Sequence, residues 1–237
     1  MLIEPNNVYL GDCLELMKDI PDKSVDMILC DLPYGSTRNS WDSIVPLDKL
    51  WEEYKRLRKN NAACIFTASQ PFSSLLGCSN ISELKYSWIW QKNNATGHLN
   101  ARKMPMKDYE DVLVFYNKPP TYNPQNLVAS SQKIKKKNYS QTGSYGNFEG
   151  EYIQSHTNYP KLIQQFSYDK ERGFHPTQKP IALCEYLIKT YTNEGDLILD
   201  NCAGSGSTLV AAKNLNRQYI GIEKEEKYFN ICKERLK

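Results

Sequence analysis

Leu197-Ile198-Leu199-Asp200-Asn201-Cys202-Ala203-Gly204-Ser205-Gly206-Ser207-Thr208 is the stretch on which the fold turns. An apolar run of buried-strand character ends at an acid, a tight Gly-x-Gly turn follows, and an alanine-rich helix begins. The next strand, Gln218 to Ile222, closes on Glu223, which lies 19 residues beyond Gly204. A strand, a glycine turn, a helix and a strand ending in an acid about 20 residues on make the nucleotide-binding βαβ unit, whose acid binds ribose hydroxyls. The third glycine of the dinucleotide fingerprint is absent, because Leu209 stands there. That glycine permits close helix packing beneath a pyrophosphate, so NAD and FAD are disfavoured. A nucleoside without phosphate fits better, and S-adenosyl-L-methionine is the common intracellular ligand of that description.

A second stretch, Ile28-Leu29-Cys30-Asp31-Leu32-Pro33-Tyr34-Gly35, carries the other half of the chemistry. The apolar run from Val25 to Cys30 predicts a buried parallel strand. Pro33 fixes its own φ and drives Leu32 out of the helical region, so the backbone after Asp31 is stiff and extended. Read alone, this is a strand followed by a proline turn. Read beside the cofactor half, it is a site for a flat heterocycle with an exocyclic amine. Asp31 and a main-chain carbonyl would accept its two N–H bonds, and Tyr34 would stack on its face.

Composition narrows the class. A length of 237 residues suits one α/β domain with an inserted lobe. A net charge of +3 and a pI near 8.3 lean basic without the excess of a nucleic-acid wrapper, so any basic surface must be local. The seven cysteines form no CxxC pair and no metal-ligand spacing, which predicts reduced thiols and no metal. No leader and no apolar run near 18 residues is visible, and a soluble cytoplasmic protein is expected.

In chain order, Val8 to Leu10 predicts a brief strand, and Asp12 either caps the following helix or offers a ligand contact at a strand's carboxyl end. Gly35 to Pro46 is a polar loop over the same edge and includes Arg38. A helix is predicted over 47–60, strands over 62–68, 86–91 and 109–116, and a short helix after Pro71. Between the last two strands lies a polar stretch, Lys92 to Lys107, with Gly97-His98 and Arg102-Lys103. This alternation predicts βαβ units and a mostly parallel sheet. Residues 117–174 break the rhythm and centre on Lys133-Ile134-Lys135-Lys136-Lys137. That run is either a solvated loop or, with the interleaved tyrosines, a contact for phosphates and bases. His175-Pro176-Thr177-Gln178-Lys179-Pro180 restarts regular structure with a helix to about Thr192, and a last helix closes the chain from Lys224 to Leu236.

Together these residues resemble the amino-methylating DNA methyltransferases, in particular the permuted (beta) group whose catalytic motif precedes its cofactor motif. The resemblance runs over nearly the whole chain. Asp31-Leu32-Pro33-Tyr34 stands at the family's DPPY motif with Leu32 for the first proline, and Asp200 to Thr208 at its FxGxG loop with Cys202 for the phenylalanine. The resemblance implies a Rossmann-like methyltransferase fold with a mixed, mostly parallel, seven-stranded sheet and permuted motif order. The Asp31 and Asp200 strands would lie side by side, opening both loops at one topological switch point. It implies a catalytic half at 1–116, a target-recognition region at 117–174 and a cofactor half at 175–237.

Carried over residue by residue, the resemblance makes Asp31, Leu32, Pro33 and Tyr34 catalytic. It assigns cofactor contact to Asp12, Asp31, His175, Thr177, Lys179, Asp200, Cys202, Ala203, Gly204, Gly206, Ser207, Thr208 and Glu223. DNA contact falls to Arg38, Lys133, Lys135, Lys136 and Lys137. The expected reaction is methyl transfer to N6 of a flipped adenine in double-stranded DNA at a short fixed sequence, without a metal. A homodimer and a cognate restriction endonuclease are compatible partners that the sequence does not specify. Cytosine-N4 members usually carry serine at the Asp31 position, so the acid favours adenine. An RNA substrate is a further alternative. From another class, an inactive DNA-binding module is opposed by intact Asp31, Gly204, Gly206 and Glu223.

Overall fold

Short runs of valine, isoleucine and leucine bury both of their faces here, and the polar segments between them cover a single central sheet. The computed structural model describes residues 3–35, 39, 42–137, 151–169 and 173–237, with backbone alone for 131–137 and 151–153. The elements in chain order are β1 (Asn7–Leu10), α1 (Cys13–Leu16), β2 (Val25–Cys30), α2 (Leu47–Leu57), β3 (Arg58–Ala68), α3 (Phe72–Ser79), β4 (Leu84–Thr96) and β5 (Lys107–Phe115). They continue with β6 (Val128–Lys137), β7 (Glu151–Thr157), β8 (Ile163–Gln165), α4 (Ile181–Tyr191), β9 (Leu197–Asp200), α5 (Ser207–Asn214), β10 (Gln218–Glu223) and α6 (Glu226–Arg235).

The sheet order is β1-β10-β9-β2-β3-β5-β4-β8. It is parallel from β1 to β3, antiparallel at β3–β5 and β5–β4, and parallel again at β4–β8. The count is eight strands rather than the expected seven, the addition being the three-residue edge strand β8. Met27 pairs with Ile198 and Ile28 with Leu199, so the two motif strands are neighbours, as expected. Alternation splits the core into two layers. Ile28, Tyr54, Phe66 and Phe115 pack on one face, and Leu29, Ile65, Val114, Leu187 and Leu209 on the other.

Two departures from the sequence reading have local causes. The helix expected over 47–60 stops at Leu57, and β3 begins at Arg58. Arg58 is drawn inward by an ion pair with Glu83 at 2.6 Å, and its backbone pairs with Val25. β4 and β5 are joined by a turn with one short 3-10 stretch, His98–Asn100, and form an antiparallel hairpin, with Trp88 opposite Val112 and Gln91 opposite Tyr109. The polar composition of Lys92 to Lys107 concealed this, because the ends of both strands are exposed.

A second compact unit, Pro124–Lys161, holds the antiparallel pair β6–β7, with Val128 opposite Thr157 and Lys137 opposite Glu151. It is narrower than 117–174. On one flank Asn123 bonds to the end of α4, its N–H donating to the Thr190 carbonyl at 2.7 Å. On the other, Leu162 and β8 join β4. Arg38 lies outside the described residues, as do the side chains of Lys133, Lys135, Lys136 and Lys137. Among the described residues no helix is long and apolar enough to cross a membrane.

Candidate active site

β2 and β9 end side by side, so the chain leaves the sheet in two loops that face one crevice, the expected ligand position of such a sheet. The crevice has a volume of about 810 Å³ and is bordered by Asp12, Asp31, His175, Asp200, Gly204 and Glu223, among others. That volume suits a nucleoside-sized ligand together with a second flat group.

Asp31 follows the last residue of β2, and each of its oxygens is engaged. Oδ1 accepts from the Tyr34 hydroxyl at 2.7 Å and the Thr67 hydroxyl at 2.5 Å. Oδ2 accepts from Lys179 Nζ at 2.5 Å. Lys179 also lies 3.4 Å from Glu110, which in turn pairs with Lys92 at 2.6 Å. The side chains of Lys179 and Glu110 are 9% and 11% exposed, so two acids and two cations alternate in a mostly buried chain. Burial pushes the Glu110 carboxyl up, but Lys179 and Lys92 outweigh it and hold it below its ordinary value. Burial works against the Lys179 ammonium, yet Asp31 and Glu110 keep its pKa above the ordinary value. The Tyr34 ring stacks on Phe72 at 5.2 Å with Lys179 Nζ 5.6 Å from its centre. Leu32 is buried in the core, and Pro33 borders the crevice.

The glycine loop between β9 and α5 is held from below. Glu223, at the end of β10, accepts from the Gly204 N–H at 2.7 Å and from the Glu225 N–H at 2.8 Å. Burial raises its carboxyl above the ordinary value, against the pull of those amides. Gly206 has φ +82°, and a Cβ there would collide with Cys232 Sγ of α6. It serves close packing and does not border the crevice, whereas Ala203, Gly204, Ser207 and Thr208 do. Asp200, 3% exposed, accepts from the Cys202 N–H at 3.2 Å, and burial pushes its pKa up to about 7. Cys202 packs with Cys13 and Cys30 under the loop. Asp12 does both things open to it: it caps α1 through the Leu14 N–H at 2.9 Å and borders the crevice.

The His175–Pro180 segment crosses the mouth. The His175 ring packs on Tyr228 at 4.1 Å, and burial lowers its pKa to about 4, so it is neutral. Its Nδ1 accepts from the Thr177 N–H at 3.2 Å. Pro180 is the cap rather than the first residue of α4, and the Asp169 carboxylate accepts from the Ile181 N–H at 3.2 Å. Sequence reasoning missed Thr67, Lys92, Glu110 and Asp169. Thr67 reaches Asp31 and Lys92 reaches Glu110 from neighbouring strands, while Asp169 reaches Ile181 from a loop 12 residues before it.

A crevice of this make, at the switch point of a permuted α/β sheet, defines an amino-group methyltransferase, and the chain belongs to the N6/N4 DNA methylase family, whose model matches residues 25–234. It is 28% identical to the type II methyltransferase M2.MboI of Moraxella bovis, over 97% of this chain and 86% of that protein. It is 28% identical to the DNA adenine methyltransferase YhdJ of Escherichia coli K12, over 98% and 83%. The structure of the M1.HpyAVI–SAM complex superposes with a TM-score of 0.67 at 28% identity, covering 97% of this chain and 98% of that one. The cytosine-N4-specific PvuII methyltransferase, at 16% identity and a TM-score of 0.71, shares the fold.

Proposed function

We propose that this DNA methyltransferase moves the methyl group of S-adenosylmethionine to N6 of an adenine flipped out of duplex DNA within a short fixed sequence. The observation that carries the reading is Asp31, a carboxyl acceptor fixed by three donors at the crevice of a DNA methylase. The crevice fits the cofactor on two counts. Glu223 keeps free lone pairs for ribose hydroxyls although both oxygens already hold a backbone amide. Carboxylates of Asp12, Asp31, Asp200, Glu223 and Glu225 border it, complementing a ligand that carries a sulfonium and an ammonium. The cofactor supplies an electrophilic methyl carbon.

The protein's share is positioning. The exocyclic amine of adenine is a weak nucleophile because its lone pair is delocalised into the ring. A hydrogen bond to Asp31 and another to a carbonyl at Leu32 or Pro33 make the nitrogen more tetrahedral and turn its lone pair toward the methyl group. Alignment of this kind can lower a barrier by several kcal/mol. Tyr34 and Thr67 aim the carboxylate, and Phe72 backs the Tyr34 ring. The target base must leave the stack to reach this depth. The Pro124–Lys161 unit is read as the target-recognition element, with its lysine run and Arg38 as contacts for the phosphate backbone.

The test is to incubate the protein with DNA and tritiated S-adenosylmethionine, digest to nucleosides, and identify the labelled one by mass. Sequencing DNA from cells that express the protein gives the target. Label in N6-methyladenine supports the reading. Label in N4-methylcytosine or only in RNA overturns the substrate assignment, and tight cofactor binding without label overturns the reaction.

A further inference from the structure

β4 and β5 do not end where the rest of the sheet ends. Asp31 follows Cys30, which pairs with Phe66, and Phe66 pairs with Leu113, so the catalytic acid stands level with Thr67 and Val112. The β4–β5 ladder continues past that level through Gln91 opposite Tyr109 to Thr96 opposite Lys107. Five residues from Val112 to Lys107 make about 17 Å at strand rise. β8 flanks β4 from Ile89 to Gln91, and beyond that point a two-stranded arm stands off the catalytic edge. Lys92 at its base and Asn94 and Thr96 further out border the crevice.

The tip of the arm is unlike a solvated turn. Leu99 is 88% exposed, Met104 52% and Met106 40%. Arg102, Lys103 and Lys107 stand among them, and no ion pair among the described residues engages any of the three. Apolar side chains held out in water beside unpaired cations fit a partner that offers phosphates outside and an apolar stack inside. Duplex DNA is that partner. A ribbon fits a major groove about 12 Å wide and 8.5 Å deep, and the outer end of this one stands about 17 Å beyond the level of Asp31.

Resting on the methyltransferase reading above, we propose that the β4–β5 arm enters the DNA groove and that Leu99 fills the space left by the extruded target base. Arg102, Lys103 and Lys107 hold the flanking phosphates. An extruded base leaves a gap in the stack, and an apolar wedge replaces part of the stacking that is lost.

The experiment compares the full-length protein with Leu99→Ala and with an Arg102→Gln, Lys103→Gln, Lys107→Gln triple variant. All four positions are exposed, so folding should persist, which thermal melting and calorimetric S-adenosylmethionine affinity check. Binding to duplex oligonucleotide is measured across salt, and single-turnover methylation is measured on a paired target and on one whose target base is mispaired. The triple variant is expected to flatten the slope of log affinity against log salt by about two to three. Leu99→Ala is expected to slow methylation of the paired target by about tenfold and that of the mispaired target much less, since a mispaired base costs less to extrude. An unchanged salt slope overturns the groove contact. Equal slowing on both substrates overturns the wedge. A self-association of the unaltered protein that Leu99→Ala abolishes, with DNA binding intact, makes the tip a contact between copies and overturns the proposal. The salt slope needs no methyl transfer, so a failure of the reaction itself is seen separately, in the unaltered protein.

Discussion

Asp200→Asn is expected to stabilise the ligand-free protein, and to do so more at high pH than at low. Asp200 is buried at the end of β9, and burial raises its pKa from 3.8 to about 7. The native state therefore holds the proton more tightly than the unfolded chain does. Unfolding releases that proton at pH values between the two, so the penalty starts near pH 3.8, grows to about pH 7 and is constant above. At roughly 1.4 kcal/mol per tenfold in proton affinity, the penalty is about 4 kcal/mol at pH 8 and about 2 at pH 5. Asparagine removes it and keeps an acceptor for the Cys202 N–H, at a cost of about 1 kcal/mol for an amide group less well matched than the acid. The stability gap between variant and parent should widen by about 2–3 kcal/mol from pH 5 to pH 8, read by urea unfolding without cofactor. Taking the difference at each pH cancels the other titrating groups. A gap of equal size at both pH values, or a variant less stable at pH 8, would refute the reasoning. The same substitution should weaken S-adenosylmethionine binding, because a charge facing the crevice is lost.

Asp31→Ala is expected to abolish methyl transfer and leave calorimetric cofactor affinity nearly intact, whereas Glu223→Ala should weaken the cofactor by about 1–3 kcal/mol; equal losses of affinity would overturn that division. Lys179→Met should slow transfer at least tenfold with little change in cofactor affinity, because Nζ faces Asp31 and Glu110. Lys179→Arg should recover part of the rate, and a loss of cofactor affinity matching the loss of rate would return Lys179 to a direct cofactor role. Replacing Lys133, Lys135, Lys136 and Lys137 with Gln should weaken DNA binding and flatten its salt dependence without moving cofactor affinity; an unchanged slope would make the run a solvated segment.

What was legible in the sequence was whatever depends on near neighbours. The strand–Gly-x-Gly–helix unit, Glu223 at its distance from Gly204 and the Asp31–Tyr34 turn are local patterns, and the structure gathers them around one crevice. Lys179 shows the limit. The resemblance marked it as a cofactor contact, but a separation of 148 residues from Asp31 hid the ion pair that occupies it. Thr67 and Glu110 were invisible for the same reason, since they meet Asp31 and Lys179 only in the folded chain. The outer part of the β4–β5 hairpin was missed because its exposed strand ends carry no apolar alternation to betray them.

The sheet order has a consequence for synthesis. Among the described residues β1 pairs only with β10, and Asn6 and Tyr219, which bond beside that ladder, are 213 residues apart. Closing a loop of that length costs about 5 kcal/mol of chain entropy before the contact returns anything. The glycine loop likewise packs on Cys232. A ribosome therefore releases β1 long before its neighbour β10 exists, and Asp31 before the loop it faces. Growing chains should be unable to hold the cofactor until α6 has emerged. The site comes into being all at once when α6 is made, and the strands made earlier need shelter until then.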